Sequence, residues 1–332
     1  MEKQPYFNIG DIPETSALKE RIMLPFRQLN WLLNGLVMDR ITLITSSTDS
    51  GKTTVCSQFI LNAIKQGYKT FYFAGEDSED EARDRIYKQY TSFSEDNFKF
   101  VQYIQNGKAT NCGEYILSHE KFEEAKNFFD NKLFIHNNSV PANKEGLINT
   151  IEQARIKEGC RFFVLDNVEI FDLDSDNENN SLKEICVALR NYAITKKVHI
   201  AIVSHIRKIE RNICRPDIFD VKGTSSLTNI SKNIITIIRT DKLDTTTKEY
   251  KNFEKVLSLN GYCLKDCDCV VEVRKTKGRG LGFCCLKFNK CTQSYYETKE
   301  MQEIEVSERP ILSIKTTEIT DKDEQEIIDS IF

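Results

Sequence analysis

The sequence predicts an α/β fold: a mostly parallel central sheet flanked by helices and finished by an antiparallel edge. Three observations carry that prediction. From about residue 40 to 230, short apolar runs alternate with segments of helical period, as in a sheet whose strands are joined by crossover helices. After residue 230 the runs follow one another across turn-rich segments, as antiparallel neighbours do. A chain of 332 residues with 40% hydrophobic side chains has enough apolar material to cover such a sheet on both faces.

Taken in order, residues 1–22 read as an arm with a short helix over about 15–22. The apolar runs 40–45, 69–74, 132–136, 161–166 and 198–203 are the expected parallel strands. Val55, Phe59, Ile60 and Ala63 share one face of a helix. Leu182, Ile185, Cys186, Leu189 and Ala193 share a face of another. Ser78 with Glu81, and Ser181 with Glu184, have capping-box spacing, so a helix is expected to start at each serine. Strands are expected again at 233–239, 269–275, 282–288 and 294–297, the last four forming the antiparallel edge. The polar stretch 241–267 reads as a long surface loop. The expected domains are an arm (1–22), one α/β domain (23–298) and an acidic, disordered tail (299–332).

Composition narrows the class. No run of about 18 apolar residues exists, which excludes a helical membrane span. The N-terminus holds four acids and no apolar h-region, unlike a secretory or transit signal. Eleven cysteines, in a chain too long to need staples, fit reduced thiols in a cytosol, bacterial or that of a phage's host. Six of them crowd residues 263–291 without a CxxC pair, so they are read as thiols rather than zinc ligands. Residues 301–332 carry nine acids and three bases, a net of −6 against −4 for the whole chain, so the other 300 residues sum to +2. That near-neutral body argues against a general nucleic-acid coat but permits a local basic loop.

Strand 40–45 runs into Ser46, Ser47, Thr48, Asp49, Ser50, Gly51, Lys52, Thr53 and Thr54, which open a helix. This is a Walker A loop in its strand–loop–helix setting. Backbone N–H groups and the helix N-terminus make an anion hole; Lys52 reaches phosphate and the Thr53 hydroxyl holds Mg²⁺. ATP and Mg²⁺ are the implied ligands. Two residues depart from the pattern: Ser46 replaces the usual first glycine, and Asp49 puts a carboxylate where polyanionic phosphate must sit. The expectation is that Asp49 faces outward. Strand 161–166 ends in Asp166, the Walker B arrangement, expected beside the Walker A strand, where a carboxylate orients Mg²⁺ or its water. Strand 69–74 leads to Glu76 and Asp77. Glu76 there is either the group that polarises the attacking water or an ordinary first-turn acid. His205 ends strand 198–203, as a γ-phosphate contact or as a polar strand end.

These blocks, with the segment 25–40 ahead of them, resemble the RecA-like motor domain of DnaB- and Twinkle-type replicative hexameric helicases over about residues 22–298. The resemblance implies a RecA-like P-loop NTPase fold and an ATP-dependent helicase that travels 5′ to 3′ on single-stranded DNA as a homo-oligomeric ring, a hexamer. It implies that Lys52 and Thr53 bind phosphate and Mg²⁺, Glu76 activates water, Asp166 is the Walker B acid and His205 senses the γ-phosphate. Lys275, Lys277 or Arg279 would complete a neighbouring subunit's site, and Arg239 would lie near the base or ribose. Lys222, Gly223 and Ser225 map on the family's DNA loop. Arg207, Lys208, Arg211 and Arg215 precede it as a basic run, alternatively a solvated surface loop. The relatives' N-terminal helical or primase domain has no counterpart here, which implies a separate primase. The tail, ending in Phe332, is either a tether to a primase, polymerase or single-strand-binding protein or a solubilising appendage. Two other readings share the phosphate residues: a recombinase or strand-exchange mediator, and a DNA-binding module that uses nucleotide as a switch.

Overall fold

The apolar runs pair side by side in the computed structural model, which describes residues 19–91, 94–105, 108–140, 144–167, 178–206, 215–221 and 225–297. The elements are β1 (Arg21–Ile22), α1 (Arg27–Leu33), β2 (Leu36–Val37), β3 (Ile41–Ser46), α2 (Lys52–Lys65), β4 (Thr70–Ala74) and α3 (Glu79–Tyr90). They continue with β5 (Phe98–Gln105), β6 (Lys108–Leu117), α4 (His119–Phe129), β7 (Leu133–Ile135), α5 (Lys144–Gln153), β8 (Phe162–Asp166), α6 (Glu178–Lys196) and β9 (His199–His205). The last are α7 (Ser225–Ile230), β10 (Asn233–Arg239), α8 (Lys248–Leu259), β11 (Cys269–Lys275), β12 (Gly282–Asn289) and β13 (Ser294–Glu297). The chain divides after Thr298 into two units, and every described residue belongs to the first. The expected tail, Phe332 included, and residues 1–18 of the expected arm lie outside the described residues.

Among the described residues, nine strands form one sheet in the order β13-β12-β11-β10-β3-β9-β8-β4-β7. Neighbours from β10 to β7 run parallel, and β10 through β13 pair antiparallel. The sequence expectation assigns β10 to the antiparallel edge. Instead α7 acts as a crossover and returns the chain parallel to β3 on the side away from β9. The inner strands are covered on both faces, so their side chains are apolar on both. Phe162 and Val164 enter one core, with Phe59 of α2, Ile86 of α3 and Phe129 of α4. Phe163 and Leu165 enter the other, with Ile151 of α5, Leu189 of α6 and Leu227 of α7. No described helix is long and apolar enough to cross a membrane.

Four local expectations are corrected. Residues 241–267 are not a loop: α8 fills them, capped by the Thr247 hydroxyl and seated by Tyr250, Phe253 and Leu257. That spacing of three and four residues is a helical stripe, and Phe253 meets Phe283 of β12 edge-on at 6.2 Å. The helix expected to start at Ser181 begins at Glu178, so that serine is interior. The helix expected over 15–22 gives way, at Arg21–Ile22, to β1, which pairs antiparallel with β2. Finally, β5 and β6 form a separate antiparallel hairpin that the expectation lacks, although Asn106-Gly107 between alternating runs is a strong hairpin signal.

His199 ties three elements at the start of the parallel strands. Its Nδ1 lies 2.8 Å from the Val37 carbonyl and its Nε2 lies 3.1 Å from Thr42 Oγ1. The carbonyl can only accept, so Nδ1 carries the proton and Nε2 accepts from the threonine hydroxyl. Asn233 Nδ2 donates to the same Oγ1 at 3.2 Å. Burial pushes the imidazole down to about 4, so it is neutral when folded. The unfolded ring takes its proton first as pH falls through about 6.5, and stability is lost between there and about 4. Urea midpoints of the wild type are therefore expected to fall more steeply over that interval than those of His199→Gln. Equal slopes would show that His199 is not held neutral.

Candidate active site

β3 ends in Ser46 and α2 begins at Lys52, so the intervening turn presents the first amides of a 14-residue helix at the sheet's carboxyl edge. Gly51 has φ +84°, and a Cβ there would lie 2.4 Å from the Tyr295 hydroxyl; only glycine fits both constraints. Asp49 also has positive φ. Its carboxylate is 79% exposed and 3.6 Å from Lys242 Nζ, turned toward solvent and a cation. Lys242 Nζ donates to the Thr48 carbonyl at 3.1 Å, and Arg239 Nη1 to the Asp49 carbonyl at 3.3 Å. Arg239 is also paired with Asp241. The outer side of the turn is thereby braced from the β10 end.

On the inner side, buried Lys52 donates to Ser46 Oγ at 3.0 Å and to the Ser47 carbonyl at 3.1 Å. Ser46 thus supplies a hydroxyl partner to the lysine where a glycine could not. Lys52 Nζ also lies 3.1 Å from His205 Nδ1, and His205 Nε2 lies 2.7 Å from Glu76 Oε1. An ammonium has only donors, so Nδ1 accepts and the proton on Nε2 is given to the carboxylate. Asn167 Nδ2 donates to the same Glu76 oxygen. Register builds this chain. Ser46 pairs with His205 across β3 and β9, and Ala74 pairs with Asp166 across β4 and β8. Three strand ends and the phosphate loop therefore converge.

Asp166 is 2% exposed. Burial pushes its carboxyl up to about 6; a hydrogen bond with the Thr53 hydroxyl opposes this, and the nearby Glu76 charge adds to it. Its Oδ2 is buried without a hydrogen-bond partner. A charged oxygen in that state is costly unless a cation meets it. Asp166 and Thr53 form the hard-oxygen donor set that suits Mg²⁺, and the amides of the turn suit a polyphosphate. The residues fit both ligands. One detail of the expectation is corrected: the Asp166 strand, β8, is not beside β3. β9 lies between them and pairs with each, and the first turn of α2 spans the gap through Thr53.

Other expected site residues lie elsewhere. Ile234 pairs with Lys275 and Asn233 with Thr42, so Lys275 stands at the amino edge of the parallel strands, away from this chain's own phosphate turn. Its Nζ donates to the Thr228 carbonyl at 2.7 Å. Lys277 and Arg279 follow it. Arg279 donates its backbone N–H to the Leu32 carbonyl at 2.8 Å, and its guanidinium lies 5.8 Å from the Trp31 ring centre. Arg207, Lys208, Arg211, Lys222 and Gly223 lie outside the described residues, and Ser225 opens α7. Arg215 is described, and it is bonded to Glu272.

The sequence expectation misses several neighbours of the site. Asn167 adjoins a motif residue, so position alone singles it out. Arg85 pairs with Asp77 and is two turns into α3, with no motif to mark it. Tyr295 comes from the far edge strand β13. Gln58 of α2 clamps its backbone, accepting from Tyr295 N–H and donating to its carbonyl, each at 2.8 Å. No local sequence signal announces a contact so distant in the chain.

The family model described as an AAA domain matches residues 12–211. No curated protein matches the sequence. Among solved structures, the ATPase domain of a replicative helicase aligns with TM-score 0.62 at 16% identity, over 82% of this chain and 90% of that one. A DnaB-like replicative helicase, solved with its interactions with primase, aligns with TM-score 0.65 at 16% identity, over 86% of this chain. The chain spans 65% of that helicase's length. The family match covers more than half of the sequence, and the chain therefore belongs to the AAA domain family, as a P-loop ATPase with the RecA-like fold of replicative-helicase ATPase domains.

Proposed function

We propose that the chain is the motor of an ATP-driven replicative DNA helicase, working in a cytosol as a hexameric ring that moves 5′ to 3′ on single-stranded DNA. The observation that supports it best is the continuous chain Lys52–His205–Glu76 beside an unpartnered Asp166 oxygen. In this reading residues 23–298 are the motor, 1–22 contact a neighbouring subunit, and the tail to Phe332 tethers a partner such as a primase.

Each residue then has a physical task. The amides of 47–54 and Lys52 hold the triphosphate, and Lys52 gives up its bonds to Ser46, the Ser47 carbonyl and His205 to do so. Thr53 and Asp166 hold Mg²⁺, which supplies positive charge against the phosphate oxygens. Glu76, kept in place by Asn167, accepts a proton from the attacking water. His205 meets the γ-phosphate edge and, through Glu76, responds to it. Arg239 attends the nucleoside side of the turn. Lys275, Lys277 or Arg279 act on the neighbour's nucleotide, which explains why they stand away from this chain's own turn. Arg207, Lys208, Arg211, Lys222, Gly223 and Ser225 contact the DNA backbone without reading sequence.

Glu76→Gln is expected to lower DNA-stimulated ATP turnover by about 10²- to 10⁴-fold while ATP still binds; normal turnover would remove Glu76 from the mechanism. Asp166→Asn should lose Mg²⁺-dependent nucleotide binding yet melt later than the wild type without ligand. The sign follows from the raised carboxyl: stability falls as pH rises from about 4 to about 6 and stays low above. At pH 7.5 the variant gains up to about 3 kcal/mol. A lower melting temperature for that variant would contradict the buried charge. Lys222→Gln should reduce the slope of log affinity for single-stranded DNA against log salt by about one. Forked-duplex unwinding together with electron micrographs tests the ring, and open filaments would favour a recombinase.

A further inference from the structure

Glu272 of β11 is 3% exposed and faces two guanidinium groups. Arg215 donates Nε to Oε1 and Oε2 at 3.1 and 3.0 Å, and Nη2 to Oε1. Arg274 Nη1 donates to Oε1 at 2.9 Å, and its Nη2 reaches Asp217 at 3.2 Å. The Arg215 guanidinium also lies 5.4 Å from the Phe283 ring centre. A forked cation held by a buried carboxylate and backed by an aromatic ring is a fixed joint, with its charge already neutralised.

The position of this joint gives it meaning. Arg215 and Asp217 lie on the stretch of chain between Ile206 and Val221, which pair with each other across an antiparallel bridge. Ile206 N–H donates to the Ser46 carbonyl at 3.0 Å, tying that end to the phosphate turn. Arg215 ties the stretch to β11 instead. Three residues beyond Glu272, β11 ends in Lys275, which holds α7 through the Thr228 carbonyl. One strand therefore connects the amino-edge lysine with two anchors of the stretch that flanks the candidate DNA residues.

We propose that Glu272 is a positioning residue: by fixing Arg215 to β11 it couples DNA contact to nucleotide turnover, and Arg215 makes no phosphate contact of its own. This rests on the helicase reading above. Glu272→Gln keeps an acceptor oxygen and the side-chain shape, and Arg274 remains beside it, so the strand is retained.

The test uses the full chain with an oligo-dT strand. Glu272→Gln is expected to leave DNA-free ATP turnover unchanged and to lower its stimulation by DNA about fivefold or more. Arg215→Gln should lower stimulation similarly, and the double variant no further, because all three remove one contact. Arg215→Gln should also leave the salt slope of DNA affinity unaltered. A slope reduced by about one would make Arg215 a phosphate contact and overturn the proposal, as would full stimulation in Arg215→Gln, which stands as a test by itself. A wild type without any DNA stimulation would overturn the helicase reading and this inference with it.

Discussion

Six paired positions between β3 and β9, from Ile41 opposite Ile200 to Ser46 opposite His205, govern where the chemistry falls. Parallel strands end together only when their register is fixed, and register here is held by side chains buried on both faces. A slip of one residue would reverse which side chains enter which core. It would also carry His205 away from the turn that Lys52 serves. The apolar layers and the polar site are thus one constraint seen from two sides.

The second constraint is the handling of charge out of water. Lys52 and Asp166 are both buried, and the fold treats them differently. The ammonium is met by a hydroxyl, a carbonyl and an imidazole nitrogen, so its donors are occupied within the protein. The carboxylate keeps one oxygen unmatched, which raises the free energy of the ligand-free state. Sites that tolerate such a cost do so where a ligand relieves it, and stability is then traded against readiness to bind.

Much of this is legible from residues alone. The Walker A turn announces itself through Gly51, Lys52 and Thr53 between an apolar run and a helical stripe, because phosphate binding demands those types consecutively. The carboxyl-edge acids follow from apolar runs that stop at a charge. Strand order is not legible: nothing in 161–166 says that β9 inserts between it and β3, since adjacency is decided by packing of crossover helices. Contacts closed over long separations, such as Tyr295 on Gly51 or Arg215 on Glu272, leave no local periodicity to read. The α8 helix escapes a sequence reading for another reason. Its three buried residues are outnumbered by lysines, glutamates and threonines, so overall polarity masks a regular stripe.

The sheet has a phosphate turn at its carboxyl edge and a cluster of lysines at its amino edge. A protomer built this way carries two unlike surfaces, and one cannot mate with itself across a twofold axis. If the lysines serve an adjoining copy, every contact must be heterologous, with one subunit's amino edge against the next one's carboxyl edge. Such an arrangement has a front and a back before any strand of nucleic acid enters it, so a sense of travel would be inherited from sheet polarity rather than imposed by the track.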